Sequence, residues 1–202
     1  MNPRLSFLLL LLVSVVALSG CAKDQPTPSH TKAWLRQADG DLLTFRNPAT
    51  GATETMLAKV EDVTVTSAGK FDFKSHDYQT ITLTYTTQRP SSAGLRVVFN
   101  GDGEVAINPL SEWPESEVTI ITHKKSHKEH VISSNRSSAL LDDNVYLNGR
   151  TYPTVVSGRF NFFSGLPNVP SSGNSLEFFW YSKDDGLVAY TLTDGQTWYR
   201  VW

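Results

Sequence analysis

One cysteine, Cys21, stands among 202 residues, so no internal disulfide can form in this chain. Neither sign of charge is in excess: 18 Lys and Arg meet 20 Asp and Glu, a formal net charge of −2. A nucleic-acid or anionic-membrane footprint needs a clustered basic excess, and this near-balance argues against either. After Leu18 no run is long or apolar enough to span a bilayer, so the rest of the chain is expected to be soluble. No stretch sustains a helical stripe over a dozen residues, which excludes a helix-rich domain. No G-x-S-x-G elbow is present, and no Gly-rich phosphate loop precedes a helix.

What the chain does have begins at its N-terminus. Arg4 is followed by Leu5 to Leu18, apolar apart from Ser6 and Ser14. A run of about 14 apolar residues fits a signal-peptide core and falls short of the ~20 a spanning helix needs. The small pair Ser19-Gly20 suits a peptidase pocket that excludes bulky side chains. Leu18-Ser19-Gly20-Cys21 resembles the lipobox of bacterial lipoproteins at all four positions. The resemblance implies cleavage between Gly20 and Cys21, a diacylglyceryl thioether on the Cys21 sulfur, and acylation of the new amine. Each buried CH₂ contributes roughly 0.8 kcal/mol and one acyl chain anchors only marginally, so two or three chains give durable attachment. Ala22 follows, where that class carries Asp for inner-membrane retention; the resemblance therefore implies the outer membrane of a Gram-negative bacterium.

Residues 1–20 are read as a signal peptide, 21–32 as lipidated Cys21 with a flexible tether, and 33–202 as a single β-rich domain. Ala22 to Lys32 is polar and contains Pro26 and Pro28. Extended at ~3.1 Å per residue, it would hold the domain some 30 Å from the bilayer.

From Trp34 onward the dominant period is two. Val63 and Val65 alternate with Thr64 and Thr66; Ile81, Leu83 and Tyr85 alternate with Thr82, Thr84 and Thr86. That is the pattern of half-buried strands. Asn100-Gly101-Asp102-Gly103 joins Leu95–Phe99 to Glu104–Ile107. Asn148-Gly149 joins Val145–Leu147 to Thr151–Val156, and Asn-Gly is the strongest local hairpin signal. Val118–Thr122 and His130–Ser133 flank a lysine-rich reversal. Leu176–Tyr181, Leu187–Leu192 and Gln196–Trp202 follow, linked by Asp-Gly turns. About nine to eleven strands, connected briefly, predict an antiparallel meander forming a curved sheet, barrel or sandwich. Helix is predicted only over Ser134–Asp143 and Thr31–Gln37. Irregular loops are expected at Pro109/Pro114 and Pro167/Pro170. Phe178-Phe179-Trp180-Tyr181 is apolar on both faces and is expected to be covered on both.

Asn144 to Tyr152, followed by Tyr181 to Tyr190, resembles a pattern in uncharacterised β-rich envelope lipoproteins, where an Asn-Gly hairpin precedes one ending in Gly-Leu-Val. It spans about 60 residues of turn formers and core apolars, implies a curved antiparallel sheet, and carries over no functional residue.

Candidate sites are few. His123, His127 and His130, with Glu129, could approach one cation, but Lys124, Lys125 and Lys128 share the segment and repel it. A solvated loop is the reading adopted, and no metal is assigned. Asp102-Gly103 in an EF-hand register would place Val98 and Pro109 where carboxylates are required, so that register fails. Trp180, Tyr181, Tyr190, Trp198, Tyr199 and Trp202 are dense enough for a sugar or lipid platform, although strand aromatics more often pack the core. Trp202 is expected to be the most exposed. Asp39/Asp41, Asp142-Asp143 and Asp184-Asp185 sit beside turn signals, where Asp is ordinary.

No catalytic residue and no cofactor is assigned, and the chain is not expected to be an enzyme. It is read as an outer-membrane-anchored envelope lipoprotein, a binding or structural module held by Cys21. Its partners are the membrane, through the anchor, and an envelope protein, glycan or apolar ligand. Alternatives are a carrier of an apolar ligand in a lipocalin-like or lipoprotein-carrier-like sheet, and a small envelope hydrolase.

Overall fold

Alternation of apolar and polar residues becomes a single sheet of twelve strands. The computed structural model describes residues 25–68, 75–87, 94–110, 116–122, 128–134, 136–160 and 175–202. A one-turn helix, α1 (Ser29–Lys32), comes first. It is followed by β1 (Leu42–Arg46), β2 (Thr53–Ala68), β3 (Ser75–Thr87), β4 (Gly94–Phe99), β5 (Glu104–Pro109) and β6 (Val118–Thr122). Then come β7 (Glu129–Ser133), β8 (Ser137–Leu147), β9 (Arg150–Phe160), β10 (Leu176–Ser182), β11 (Gly186–Leu192) and β12 (Thr197–Arg200).

The strand order is β7-β6-β5-β4-β3-β2-β1-β12-β11-β10-β9-β8, with every neighbouring pair antiparallel. Sheet neighbours are therefore sequence neighbours, except where β1 meets β12 through Phe45↔Arg200 and Arg46↔Tyr199. The edge strands β7 and β8 are consecutive in the chain, and the turn between them draws the edges together. Ser134 N–H and Ser137 Oγ both donate to the Glu117 carbonyl, at 3.0 and 2.5 Å. The sheet is thus a nearly closed, barrel-like meander, and mostly-β antiparallel is its class.

Closure follows from one greasy face. Leu43, Phe45, Met56, Leu83, Tyr85, Leu95, Val97, Phe99, Val105, Ile107, Val118 and Ile120 alternate inward and join Phe160, Phe179, Tyr181 and Tyr190 in one buried cluster. Val118 on β6 and Phe179 on β10 both close on Gly158 of β9. A Cβ on Gly158 would lie 2.4 Å from Phe179 Cε1 and 3.3 Å from Val118 Cγ2, so glycine lets these faces touch. Phe160 and Phe179 stack there at 5.2 Å. On the outer face Phe178 and Trp180 pair at 4.4 Å, and Trp180 packs on a second cluster of Tyr152, Val155 and Val188. Strand β10 accordingly has partners on both faces.

Three expectations need correction. Ser134–Asp143 is not a helix, because Ser137 to Leu147 pair with β9 along their length, with Ser138, Leu140 and Asp142 exposed and Ala139 and Leu141 less so. Long-range pairing outweighs the local helix propensity of Ala and Leu. The second helix lies earlier and shorter than Thr31–Gln37, over Ser29–Lys32, with Pro28 preset at φ −59° ahead of it. Pro109 ends strand β5 rather than marking a loop. Pro114, Pro167 and Pro170 lie outside the described residues. The Asn148-Gly149 turn has φ of 45° and 89°, the mirror-image turn that matches strand twist.

Replacing Gly158 with Ala should cost about 1–3 kcal/mol through overpacking. The expected readout is a lower urea midpoint with an unchanged slope.

Candidate functional site

Among the described residues, one end of the barrel gathers a dense set of polar contacts. We call it the arm end, because β2 and β3 stay paired beyond Asp62↔Ile81 and continue to Ala68↔Ser75 as a two-stranded arm. The turns at Asn100–Gly103, Asn148-Gly149 and Lys183–Asp185 open at this end, as does the C-terminus.

Residues 25–37 run across this end and are built into it. Gln25 pairs in parallel with Tyr78: its N–H donates to Asp77 O at 2.8 Å, and its carbonyl accepts from Gln79 N–H at 3.1 Å. Thr27 N–H donates to Gln79 Oε1 and Thr27 Oγ1 donates to Gln79 O. Thr31, fully buried, places Oγ1 3.4 Å from Thr122 Oγ1. The stretch suggested by sequence as flexible tether is, from Gln25 onward, docked on the sheet. Its backbone and side-chain groups find partners on β3 and β6, which a free linker would not.

Trp34 is fully buried at the barrel mouth. Its Nε1–H donates to Glu129 Oε1 at 3.2 Å, the same oxygen that accepts from Lys183 Nζ at 2.7 Å. Its carbonyl accepts from Tyr181 OH at 2.9 Å, and the two rings stack at 6.3 Å. Gln37 continues the chain of contacts: Oε1 accepts from Tyr85 OH at 2.5 Å, and Nε2 donates to Asp185 O at 2.9 Å. It rests on Gly186 (φ +75°), where a Cβ would meet Gln37 Oε1 at 2.1 Å. Burial pushes the Tyr85 and Tyr181 phenols well above their ordinary value of 10.

Outside this buried chain lies an aromatic–guanidinium stack. Arg200 Nη1–H donates to Asp185 O, and Arg150 Nη2 pairs with Asp185 Oδ1 at 3.2 Å. Both guanidinium carbons lie 4.0 Å from the Trp202 ring centroid. Trp202 Nε1–H donates to Tyr152 OH at 3.1 Å. Cation–π contacts of this kind contribute ~0.5–1 kcal/mol each at exposed sites. Burial lowers the Arg200 pKa from its ordinary value. Trp202 remains 57 % exposed and so presents an aromatic surface held in place on its own strand end.

The aromatic candidates therefore divide. Tyr181, Tyr190 and Trp198 are core, Trp180 and Tyr199 are half-buried, and Trp202 alone of the six is exposed. His123 and His127, like Gly20 and Cys21, lie outside the described residues; His130 is exposed on β7 and Glu129 is committed to Trp34 and Lys183. Among the described residues no group of three or more His, Cys, Asp or Glu is placed to hold a metal ion. The Asn100 turn is satisfied internally, since Asn100 Oδ1 accepts from Asp102 and Glu104 N–H. Asp39 and Asp41 accept from Val60 and Ala38 N–H, and Asp184 pairs with Arg36. Comparison with protein families, with curated proteins and with solved structures finds no match to this chain. Asp185 stands out in sequence only as one of a pair of turn acids, and Gln37, Arg150 and Arg200 do not stand out as site residues at all. No spacing marks them, because four separate segments bring them together.

The raised phenols carry a pH consequence. Unfolded tyrosines ionise near pH 10, while Tyr85 and Tyr181 in the fold keep their protons well above it. Their contribution to stability is thus intact below pH ~10 and is lost as pH rises beyond. Tyrosinate absorbance should rise in two stages, the second coinciding with unfolding. Tyr85→Phe should remove part of that alkaline sensitivity and cost about 1–3 kcal/mol at neutral pH, because Gln37 Oε1 loses its donor.

Proposed function

We propose that this chain is an outer-membrane lipoprotein of a Gram-negative bacterium, tethered through acyl chains on Cys21 and working as a binding module in the envelope. The observation that carries the reading is Leu18-Ser19-Gly20-Cys21 at the end of an apolar run, with no other cysteine in the chain. Function on this reading is positional: the anchor sets the compartment, and the barrel presents a rigid surface there. Trp202, braced by Arg150, Arg200 and Tyr152, is an exposed aromatic such a surface offers to a glycan or envelope protein. The proposal assigns no catalytic role.

Barrel-like closure is compatible with one second reading, a carrier of an apolar ligand. Native mass spectrometry of the purified protein separates the two, since a carrier retains a lipid of defined mass.

Cys21→Ser should move the protein of a Gram-negative host from the membrane fraction to the soluble fraction. Intact mass of the unsubstituted mature protein should exceed the mass of residues 21–202 by a diacylglyceryl group and an acyl chain. An unmodified mature N-terminus would end the proposal.

A further inference from the structure

The arm carries an anomaly of patterning. In the barrel, the buried face of β2 holds Met56, Ala58 and the half-buried Val60, while Leu57 and Lys59 point out. Past Val60 the phase of the apolar residues changes. Asp62 and Thr64 continue the inward face, while Val63 and Val65 occupy the outward one, 52 % and 49 % exposed. The pairing with β3 keeps one register from Met56↔Thr87 to Ala68↔Ser75, so no bulge rotates the strand and the inversion of the two faces is real. The inward face of the arm is polar and in use: Gln79 Nε2 bonds both Asp62 oxygens, and Thr27 bonds Gln79. The outward face sets these two valines beside Thr80 and Tyr78, their partners on β3, and leaves about half of each exposed.

The direction of the chain at Gln25 bears on what covers them. Strand β3 starts at the arm's tip and runs toward the barrel, and Gln25 lies parallel to it at Tyr78. The chain therefore reaches Gln25 from the tip side. Cys21 is four residues before Gln25, at most ~14 Å of extended chain. The arm's last pair, Ala68↔Ser75, lies three residues beyond Tyr78, or ~10 Å. Resting on the proposed acylation of Cys21, we infer that the outward face of the arm, through Val63 and Val65, lies against the bilayer that holds the anchor. The lipid chains and the arm then form two attachment points that fix the orientation of the barrel, with the Asn47–Ala52 turn at its far end directed away. β-branched residues on an otherwise solvated ribbon fit an interfacial contact of this kind, shallow and apolar.

The test uses the full chain, processed and lipidated in a Gram-negative host, and reconstituted into phosphatidylethanolamine–phosphatidylglycerol vesicles. Single cysteines are introduced as Val63→Cys, Val65→Cys and, at the far end, Ala49→Cys, and are labelled with an environment-sensitive fluorophore. With the Cys21 sulfur held in a thioether, each added thiol is the only reactive one. Near-ultraviolet circular dichroism checks that each variant folds. The expected result is blue-shifted emission at 63 and 65, quenched by lipids carrying a nitroxide near the headgroup, with emission at 49 unshifted and unquenched. Vesicle-bound protein whose labels at 63 and 65 behave like the one at 49 overturns the inference and leaves the anchor standing. A blue shift insensitive to the nitroxide lipid means that protein, such as a second copy, covers the valines, and overturns it too. Labelling of Cys21 in the parent protein, or protein that fails to float with vesicles, removes the anchor and the inference together.

Discussion

A sheet of twelve strands encloses more space than short aliphatic side chains fill, and its mouth exposes the ends of the inner apolar face. Trp34 answers both problems. Its indole lies in the mouth, its N–H and carbonyl are satisfied by Glu129 and Tyr181, and the residues on either side of it carry the chain across the opening. A fully buried aromatic of this size removes more apolar surface from water than most single strand residues. Because its polar atoms are paired, none of that gain is lost to an unsatisfied donor. The other contacts at the arm end are arranged around this insertion.

The insertion also links the ends of the chain to the sheet's least redundant joint. β1 and β12 share only two paired positions and a hydrogen bond from Val201 N–H to Thr44 O. Gln37 and Arg200 approach from the two sides of that joint and bond the same carbonyl, that of Asp185. Gly186 leaves the room Gln37 needs. The N-terminal segment, the β10–β11 turn and the C-terminal strand are thus fastened at one point. A lipid attached a few residues upstream of Gln25 would pull on a rigid body.

Much of the barrel was legible because strands announce themselves by period two and hairpins by Asn-Gly and Asp-Gly. Ile81, Leu83 and Tyr85 point inward as their alternation required, and Asn148-Gly149 turns as its backbone preference required. Strand β1 was not singled out, since Leu42-Leu43 breaks its alternation and Leu42 in fact stands 63 % exposed. Ser134–Asp143 reads as helix in sequence because that propensity is local, whereas the partner of β8, strand β9, lies across a turn. The candidate site was less legible than the fold. Trp202 drew notice as a terminal aromatic, but Arg150, Asp185 and Arg200 become a site only when closure brings three strand ends together. Gln25 to Lys32 looked like linker by composition, and composition does not report hydrogen bonds made to a strand fifty residues away.

The most direct measure of this account is amide hydrogen exchange over residues 25–37 in the native protein. If the segment is the stopper of the barrel, its amides at Gln25, Ala33, Trp34 and Leu35 should be protected to a degree comparable with strands β3 and β10, and should open together with them. Exchange of these amides at the rate of an unstructured chain, while β3 and β10 stay protected, would contradict it.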